Sequence, residues 1–286
     1  MATKINTIKD IRAFFAEELN GIMSAEEIKA TTNIVMKNVL KATSLESVAF
    51  PDKPVAPSNR EKIIGICKEL KSGKPLQYIL GETEFFNCRF KVNTDTLIPR
   101  PETEELVNLI IEENSNFTGK IVDIGTGSGC IAIALAANLP LAKVTGTDIS
   151  RGALEIARHN AIINKVIVDF VLDDIFTTKI IGQYDIIVSN PPYVRESERG
   201  LMAENVVKFE PPAALFVPDE DPLIFYRKIV RLSNKNLLSR GKIYFEINEA
   251  LGEATSKLLK DAGYVNIRII KDLNNKERII TGEKNG

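Results

Sequence analysis

The chain has no tryptophan, a single histidine, His159, and only three cysteines, Cys67, Cys88 and Cys130. A lone histidine argues against histidine-based catalytic triads and against most zinc sites. The cysteines neither form an even set nor show the spacing of metal ligands, which fits a reducing cytosol. We therefore expect no metal centre and a cytoplasmic location.

Long apolar runs and an excess of charge of either sign are also missing. No apolar run approaches the ~20 residues of a membrane span, and the first residues lack the apolar core of a signal peptide. The 37 Lys and Arg against 38 Asp and Glu leave a net charge of −1, so no global basic field attracts nucleic acid. We expect a soluble, monomeric protein that contacts neither a membrane nor, directly, a nucleic acid.

The length of 286 residues allows one large or two ordinary domains. Residues 1–75 predict a small helical domain, because apolar side chains recur at helical spacing over 5–20 and Ser-x-x-Glu capping boxes begin at Ser24 and Ser58. Residues 76–98 predict a β-hairpin linker, because apolar and aromatic residues recur there in short runs. From its position alone, in front of a larger domain, we interpret the helical domain as a substrate-recognition module.

The remaining residues, 99–286, predict an α/β domain with a Rossmann-like sheet. From Lys120 onward, apolar strands alternate with helical patterns, which is typical of a parallel sheet. The last two strands are joined by so short a turn that they must be antiparallel. The sequence therefore predicts a mostly parallel sheet with an antiparallel C-terminal edge hairpin. The predicted strands cover residues 121–124, 143–147, 166–172, 184–188, 242–247, 264–270 and 278–281.

The most informative motif is Ser189-Asn190-Pro191-Pro192-Tyr193, which follows a buried apolar strand. Two prolines in succession cannot join a sheet ladder, so we expect a rigid loop at the carboxyl end of that strand, the edge where α/β sheets bind ligands. Asn190 and the Pro191 carbonyl offer two acceptors for a planar NH2 group, and Tyr193 offers a flat face. The alternative is a proline-stiffened turn with no chemical role.

A second motif indicates the cofactor. A glycine-rich turn, Gly125-Thr126-Gly127-Ser128-Gly129, follows the first strand of the sheet. Its sixth position is Cys130, where a dinucleotide fingerprint has glycine, and the lysine of a P-loop is missing. Asp123, two residues before it, suits a cationic ligand group. Asp148 is placed to accept ribose hydroxyls, and Asp174 or Asp173 to accept from an adenine amino group. A ligand with an amino-acid tail, a ribose and an adenine but no phosphate is S-adenosylmethionine. Each aspartate taken singly is also compatible with a helix cap.

A third segment, Ile98-Pro99-Arg100-Pro101-Glu102-Thr103-Glu104, precedes the first helix of the α/β domain. The flanking prolines hold Arg100 extended. Arg100 and Glu102 are candidate substrate-binding residues. The alternative interpretation is an ordinary surface ion pair at a helix start, where an acidic residue is favoured.

Together these motifs resemble the peptide chain release factor N5-glutamine methyltransferases, the PrmC/HemK family of class I S-adenosylmethionine-dependent methyltransferases. The likeness covers nearly the whole chain, including Pro75-Leu76-Gln77-Tyr78, Phe209-Glu210-Pro211 and Asp272-Leu273-Asn274-Asn275-Lys276-Glu277-Arg278. It implies the glutamine of the Gly-Gly-Gln motif in class 1 release factors as substrate and S-adenosylhomocysteine as product. It implies Asn190, Pro191 and Tyr193 as catalytic residues and, with Pro192, Arg100 and Glu102, as substrate-binding residues. The implied cofactor-binding residues are Asp123, Gly125, Thr126, Gly127, Ser128, Gly129, Asp148, Asp174, Ile175 and Asn190.

Two other functions compete with this interpretation. The Asn-Pro-Pro-Tyr motif also occurs in DNA adenine methyltransferases, so a DNA or RNA exocyclic-amine methyltransferase is the first rival. The net charge of −1 and short connections after Tyr193 argue against it, because such enzymes need a basic groove or a target-recognition domain. A non-enzymatic nucleotide-binding module is the second rival, and it leaves the Asn-Pro-Pro-Tyr loop without a chemical purpose.

Overall fold

The computed structural model describes residues 5–178 and 182–286. The chain divides into two compact units, Met1–Leu80 and Gly81–Gly286. The described residues of the first unit form helices, and the second unit contains the sheet. Within the described residues, every helix is too short or too polar to cross a lipid bilayer.

In the first unit, the described residues from 5 onward form five helices, and their apolar side chains share one core. Its second helix begins as predicted, because the Ser24 side chain accepts from the Glu27 amide at 3.2 Å while the Glu27 carboxylate accepts from the Ser24 amide at 2.8 Å. The box predicted at Ser58 is wrong, since that helix begins at Pro57 without a side-chain cap. The helices are α1 Ile8–Glu18, α2 Ala25–Leu40, α3 Ser44–Ala49, α4 Pro57–Lys71 and α5 Leu76–Leu80.

The segment 76–80 differs from its prediction, because it is the helix α5 and not part of a hairpin. The amides of Tyr78 and Ile79 donate to the Pro75 carbonyl, and the apolar side chains of the segment pack on the core of the first unit. Gly81, with φ of +68°, follows the helix. The hairpin itself is shorter than predicted and consists of β1 Glu82–Phe85 and β2 Cys88–Lys91.

The sheet of the second unit confirms the predicted fold class. Its strands in the described part of the chain are β3 Lys120–Ile124, β4 Lys143–Asp148, β5 Asp169–Leu172, β6 Tyr184–Ser189, β9 Leu237–Glu246, β10 Tyr264–Lys271 and β11 Glu277–Lys284. These seven strands lie in the order β10-β11-β9-β6-β3-β4-β5, with parallel pairs from β9 to β5 and antiparallel pairs on both sides of β11. The helices are α6 Pro101–Glu113, α7 Cys130–Asn138, α8 Arg151–Asn164, α9 Glu204–Phe209, α10 Ile224–Asn236 and α11 Gly252–Asp261.

Alternating side chains of the central strands fill two apolar cores. Ile121 contributes to the core under α6 and α7, whereas Val122 contributes to the core under α10 and α11. Tyr244 and Phe245 divide in the same way. A sheet covered on both faces needs such near-continuous apolar strands, and it brings the carboxyl ends of its parallel strands to one edge.

The connection between β6 and α10 is longer than the short connections predicted after Tyr193. It holds α9, two 3-10 helices and a small parallel sheet, so it forms a structured surface after the Asn-Pro-Pro-Tyr loop without becoming a separate domain. The additional elements are β7 Val194–Arg195, β8 Phe216–Val217 and the 3-10 helices Glu196–Leu201 and Pro212–Ala214.

Two asparagines of α8 fasten the hairpin to the sheet domain. Asn160 accepts from the Lys91 amide at 2.7 Å and donates to the Lys91 carbonyl at 3.0 Å, and Asn164 makes the same pair with Arg89. Asn160 also donates to the Ser128 carbonyl at 2.9 Å. The two amides therefore imitate a neighbouring strand, and one of them ties the hairpin to the glycine-rich turn.

Candidate active site

A cavity of about 420 Å³ lies at the carboxyl ends of β3, β4, β5 and β6. This is the edge at which open α/β sheets bind ligands, and the volume lies in the range of small-molecule sites. Three of the predicted motifs meet there. The lining residues are 94–97, 99, 100, 103, 124–128, 130, 131, 147–150, 153, 173–176, 189–192, 211, 213, 214, 225 and 229.

The glycine-rich turn presents bare backbone to the cavity. Gly125, Gly127 and Gly129 all have left-handed φ, at +75°, +55° and +81°. A Cβ on Gly125 or Gly127 would meet no protein atom within 4 Å, whereas a Cβ on Gly129 would lie 2.9 Å from Ile133. The first two glycines therefore leave room on the cavity side, and the third allows α7 and α8 to pack closely.

Asp123 lies behind this turn and does not line the cavity. Its carboxyl is fully buried and accepts the Thr126 hydroxyl at 2.6 Å through Oδ2. Its Oδ1 has no hydrogen-bond partner among the described residues. Burial raises the pKa of Asp123 to about 7 against the opposing effects of the Thr126 hydroxyl and the nearby Ala132 amide. A buried carboxyl with a spare oxygen is suited to a nearby cation.

Asp148, at the end of β4, is held by two backbone amides. Gly127 donates to its Oδ2 at 2.8 Å and Ser150 donates to its Oδ1 at 2.9 Å. Burial raises its pKa, although these hydrogen bonds act in the opposite direction. A carboxylate offers about four lone-pair sites, so Asp148 can accept two more hydroxyl donors from a ligand in the cavity that it lines.

Both aspartates after β5 line the cavity, together with Ile175. Asp174 accepts the Phe176 amide at 2.9 Å and the Thr177 hydroxyl at 3.3 Å, so its carboxylate caps the turn that follows. The Asp173 amide donates to the Asp148 carbonyl at 2.9 Å, and no side-chain hydrogen bond to its carboxylate is present among the described residues. Both residues therefore border the cavity, and the Asp173 carboxylate is the one not used by the turn.

Two side-chain hydrogen bonds hold the loop after β6 in place. The buried Ser189 hydroxyl donates to the Ile124 carbonyl at 2.6 Å, and the Asn190 side-chain amide donates to the Thr103 hydroxyl at 3.2 Å. Asn190, Pro191 and Pro192 line the cavity, whereas Tyr193 does not. Its hydroxyl instead donates to the buried Glu246 carboxylate at 3.0 Å.

Arg100 is not engaged in a surface ion pair with Glu102. Its guanidinium donates to Glu210 at 2.6 Å, and the other Glu210 oxygen accepts the Ile98 amide at 3.2 Å. Arg100 lines the cavity, and Glu102 is half-buried outside it. The alternative interpretation, a surface ion pair between Arg100 and Glu102, is therefore wrong. The partner of Arg100 is Glu210, which is buried and 110 residues away along the chain.

Three residues at this site were not predicted to contribute to it. Thr103 and Glu246 connect the Asn190 side chain to Tyr193, and Glu210 binds Arg100. Thr103 and Glu210 lie inside segments quoted for the family resemblance, but no local pattern predicts their partners. Glu246 carries only the weak signal of a charged residue at the end of an apolar strand.

The sheet order, the glycine-rich turn after its first parallel strand and the Asn-Pro-Pro-Tyr loop define a class I methyltransferase. A methyltransferase small domain profile matches residues 103–213 and a PrmC N-terminal domain profile matches residues 10–81. A solved methyltransferase from Pyrococcus furiosus has the same fold, with a TM-score of 0.53 at 18% identity, over 81% of this chain and 100% of that one.

Comparison with named relatives identifies the family within this class. The release factor glutamine methyltransferase of Flavobacterium psychrophilum is 45% identical over 96% of this chain and 98% of its own. That of Bacteroides thetaiotaomicron is 44% identical over 96% of this chain and 99% of its own. The chain belongs to the release factor glutamine methyltransferase family, as the sequence resemblance predicted.

Proposed function

We propose that the chain transfers a methyl group from S-adenosylmethionine to the side-chain N5 of the glutamine in the Gly-Gly-Gln motif of class 1 peptide chain release factors, leaving S-adenosylhomocysteine. The observation that carries the proposal is one juxtaposition. Asn190 and Pro191, two acceptors on a rigid loop, border the same cavity as the glycine-rich turn and Asp148. That arrangement suits an NH2 group placed beside an adenosyl cofactor.

The residues around the turn fit this cofactor. The open space over Gly125 and Gly127 admits a ligand against the backbone, and the unpartnered Asp123 oxygen suits the ammonium of its amino-acid part. In the proposal Asp148 accepts the ribose hydroxyls. Asp174 or Asp173 accepts from the adenine amino group. Thr126, Ser128 and Ile175 complete the proposed binding site. Gly129 was expected to belong to it but does not line the cavity, and we assign it to the packing of α7 against α8.

The chemistry asked of the protein is positioning. When bound, S-adenosylmethionine supplies an electrophilic methyl group on a sulfonium sulfur. Asn190 Oδ1 and the Pro191 carbonyl accept the two hydrogens of the glutamine carboxamide, which localises the lone pair on the amide nitrogen and aims it along the axis of transfer. Both hydrogen bonds strengthen as positive charge develops on nitrogen, so they stabilise the transition state electrostatically. The methylated amide then loses its proton to water, so no protein base is required.

The remaining site residues support this arrangement. In the proposal Pro192 stiffens the loop, and Arg100 shapes the rim of the cavity with Glu210. Tyr193 was expected to pack on the amide plane. Because its hydroxyl is held by Glu246 outside the cavity lining, we now assign it to support of the loop. We assign no substrate contact to Glu102, which does not line the cavity.

The proposal also covers the role of the first unit, the cellular location and the oligomeric state. We assign substrate recognition to the helical unit, Met1–Leu80, which matches the PrmC N-terminal domain profile. A substrate of translation termination places the enzyme in the cytoplasm, and we propose that it works there as a monomer.

The test is methyl transfer from labelled cofactor to a purified class 1 release factor, followed by mass spectrometry of its Gly-Gly-Gln peptide. We expect one methyl group on that glutamine and none when the glutamine is replaced by glutamate. Duplex DNA and ribosomal RNA serve as competing substrates. Label in nucleic acid but not in the release factor would favour the exocyclic-amine rival, and cofactor binding without any methylated product would favour a binding module.

A further inference from the structure

A buried carboxylate lies behind the Asn190 loop. Glu246, the last residue of β9, is 1% exposed and accepts two side-chain hydroxyls. Thr103 donates to its Oε2 at 2.6 Å and Tyr193 donates to its Oε1 at 3.0 Å. Thr103 is itself 2% exposed and stands in the first turn of α6. The Thr103 hydroxyl then meets the Asn190 side chain at 3.2 Å.

This chain of contacts determines which way the Asn190 amide faces. A hydroxyl has one hydrogen. Burial raises the pKa of Glu246, whereas the hydroxyls of Thr103 and Tyr193 that donate to its two oxygens, and the nearby Arg278, act in the opposite direction. As a carboxylate, Glu246 can only accept. Because Thr103 gives its hydrogen to Glu246, its oxygen can only accept from Asn190. The NH2 group of Asn190 must therefore face Thr103, and its carbonyl oxygen must point the other way. A reversed amide would set two oxygens against each other with no hydrogen between them.

The orientation matters because Asn190 borders the cavity. Its Oδ1 makes no hydrogen bond among the described residues, so it remains available as an acceptor. A reversed side chain would offer an NH2 group where the proposed substrate also presents an NH2 group. Such a pair of donors cannot hold a carboxamide for methyl transfer.

We infer that Glu246 and Thr103 are positioning residues that fix the Asn190 amide with its oxygen toward the substrate. This inference rests on the proposed methylation of a carboxamide. The charge of Glu246 is uncompensated by any direct ion pair among the described residues, because the neighbouring Arg278 is held by Asp272 at 3.2 Å and by the Ile247 carbonyl at 3.4 Å. A buried carboxylate without a direct counter-ion is unfavourable for stability, which agrees with a role as obligatory acceptor.

Turnover tests the role with matched substitutions at Thr103. Thr103→Val keeps the shape and removes the acceptor, and we expect kcat for release factor methylation to fall by about 10- to 100-fold with KM within about twofold. Thr103→Ser, which restores the hydroxyl, should recover most of that loss. Glu246→Gln should resemble Thr103→Val, because its NH2 group can donate to Thr103 and turn the hydroxyl hydrogen toward Asn190.

Two controls separate positioning from general damage. Thr255→Val removes another fully buried hydroxyl of the same unit, one that donates to the Leu251 carbonyl at 2.8 Å, and should leave kcat unchanged. Binding of S-adenosylhomocysteine by calorimetry should be similar in all variants, which shows that the cavity is intact. Equal losses of kcat in Thr103→Val and Thr103→Ser, or none in either, would overturn the inference.

A second readout does not depend on turnover. The side-chain NH2 signals of Asn190, assigned by their absence in Asn190→Asp, report the hydrogen bond to Thr103 in a 1H–15N NMR spectrum. We expect these signals to shift and to exchange faster with solvent in Thr103→Val, and to stay near the wild-type position in Thr103→Ser. Unchanged signals in Thr103→Val would overturn the orientation. A wild-type chain that fails to methylate any release factor would overturn the proposed function instead, while the NMR result would still decide the orientation.

Discussion

Arg100 and Glu210 form an ion pair at 2.6 Å in which the carboxylate is 1% exposed and the guanidinium side chain 31% exposed. The second oxygen of Glu210 accepts the Ile98 amide at 3.2 Å. One buried carboxylate thus holds both the backbone before α6 and the arginine that lines the cavity. The extended segment around Pro99 and the end of α9 are joined by this contact.

Removal of Arg100 should destabilise the second unit more than removal of an exposed cation. Arg100→Met leaves Glu210 buried with only a backbone donor, so we expect the free energy of unfolding to fall by about 2–3 kcal/mol. Lys257→Met breaks an exposed ion pair in which the side chains of Lys257 and Asp261 are 75% and 62% exposed. This substitution should change the free energy of unfolding by less than about 0.5 kcal/mol. Urea unfolding measures both, and equal changes would contradict a structural role for the buried pair.

Asn190→Ala should separate turnover from cofactor binding. Loss of one preorganised acceptor is expected to lower kcat by roughly 10²- to 10³-fold. The affinity for S-adenosylhomocysteine should change by only a few-fold, because Gly125, Gly127 and Asp148 are untouched. Asn108→Ala, an exposed site on α6, is the control. Near-normal glutamine methylation by Asn190→Ala would remove the central residue from the proposed mechanism.

The glycines of the turn should respond differently to a single methyl group. Gly129→Ala adds a Cβ 2.9 Å from Ile133 and 3.2 Å from Ala157 at φ of +81°, so we expect a loss of about 2–4 kcal/mol. Gly263→Ala meets nothing within 4 Å at φ of +86° and isolates the backbone strain, about 1 kcal/mol. Thermal unfolding measures the loss of stability in both variants. Equal losses in Gly129→Ala and Gly263→Ala would show that packing at Gly129 is unimportant.

Gly127→Ala tests the cavity itself. Its added Cβ meets no protein atom within 4 Å, so the stability loss should match that of Gly263→Ala. The methyl group occupies space that the proposed cofactor needs, and we expect calorimetry to show at least about tenfold weaker binding of S-adenosylhomocysteine, equivalent to about 1.4 kcal/mol. Unchanged affinity would mean that the ligand does not approach the backbone at this glycine.

Much of the fold could be predicted because its signals are local. The Ser24 box, the alternation of apolar strands with helices and the glycines at a strand end each lie within a few residues. The segment 76–80 was predicted wrongly for the same reason. Its short apolar run is compatible with a strand or a helix, and packing on the core of the first unit decides between them.

The support of the candidate site could not be predicted, because its partners are far apart in sequence. Thr103 and Glu246 are 143 residues apart, and Arg100 and Glu210 are 110 apart. Sequence patterns indicated the glycine-rich turn and the Asn190 loop that line the cavity, but they also indicated Glu102 and Tyr193, which do not line it. They gave no information on hydrogen bonds formed only after α6 packs beside β9.

Asp123 should make stability depend on pH. Its pKa is raised from 3.8 to about 7, chiefly by burial, so the folded chain holds a proton that the unfolded chain releases. The contribution of Asp123 to the free energy of unfolding is therefore largest below about pH 4. As the pH rises from about 4 to about 7, this contribution falls by a total on the order of 4 kcal/mol. Asp123→Asn has no such dependence, so without added cofactor we expect the variant to be more stable than wild type at pH 8 and equal to it near pH 4.

Added ligand should reverse this order. In the proposed site the ammonium of S-adenosylhomocysteine compensates the Asp123 carboxylate, so saturating ligand should stabilise wild type at pH 8 and stabilise Asp123→Asn much less. Urea unfolding at a series of pH values, with and without the ligand, gives all four stability curves. A difference between wild type and variant that stays constant from pH 4 to pH 8 would show that Asp123 is ionised throughout, and equal stabilisation by ligand would place the ammonium elsewhere.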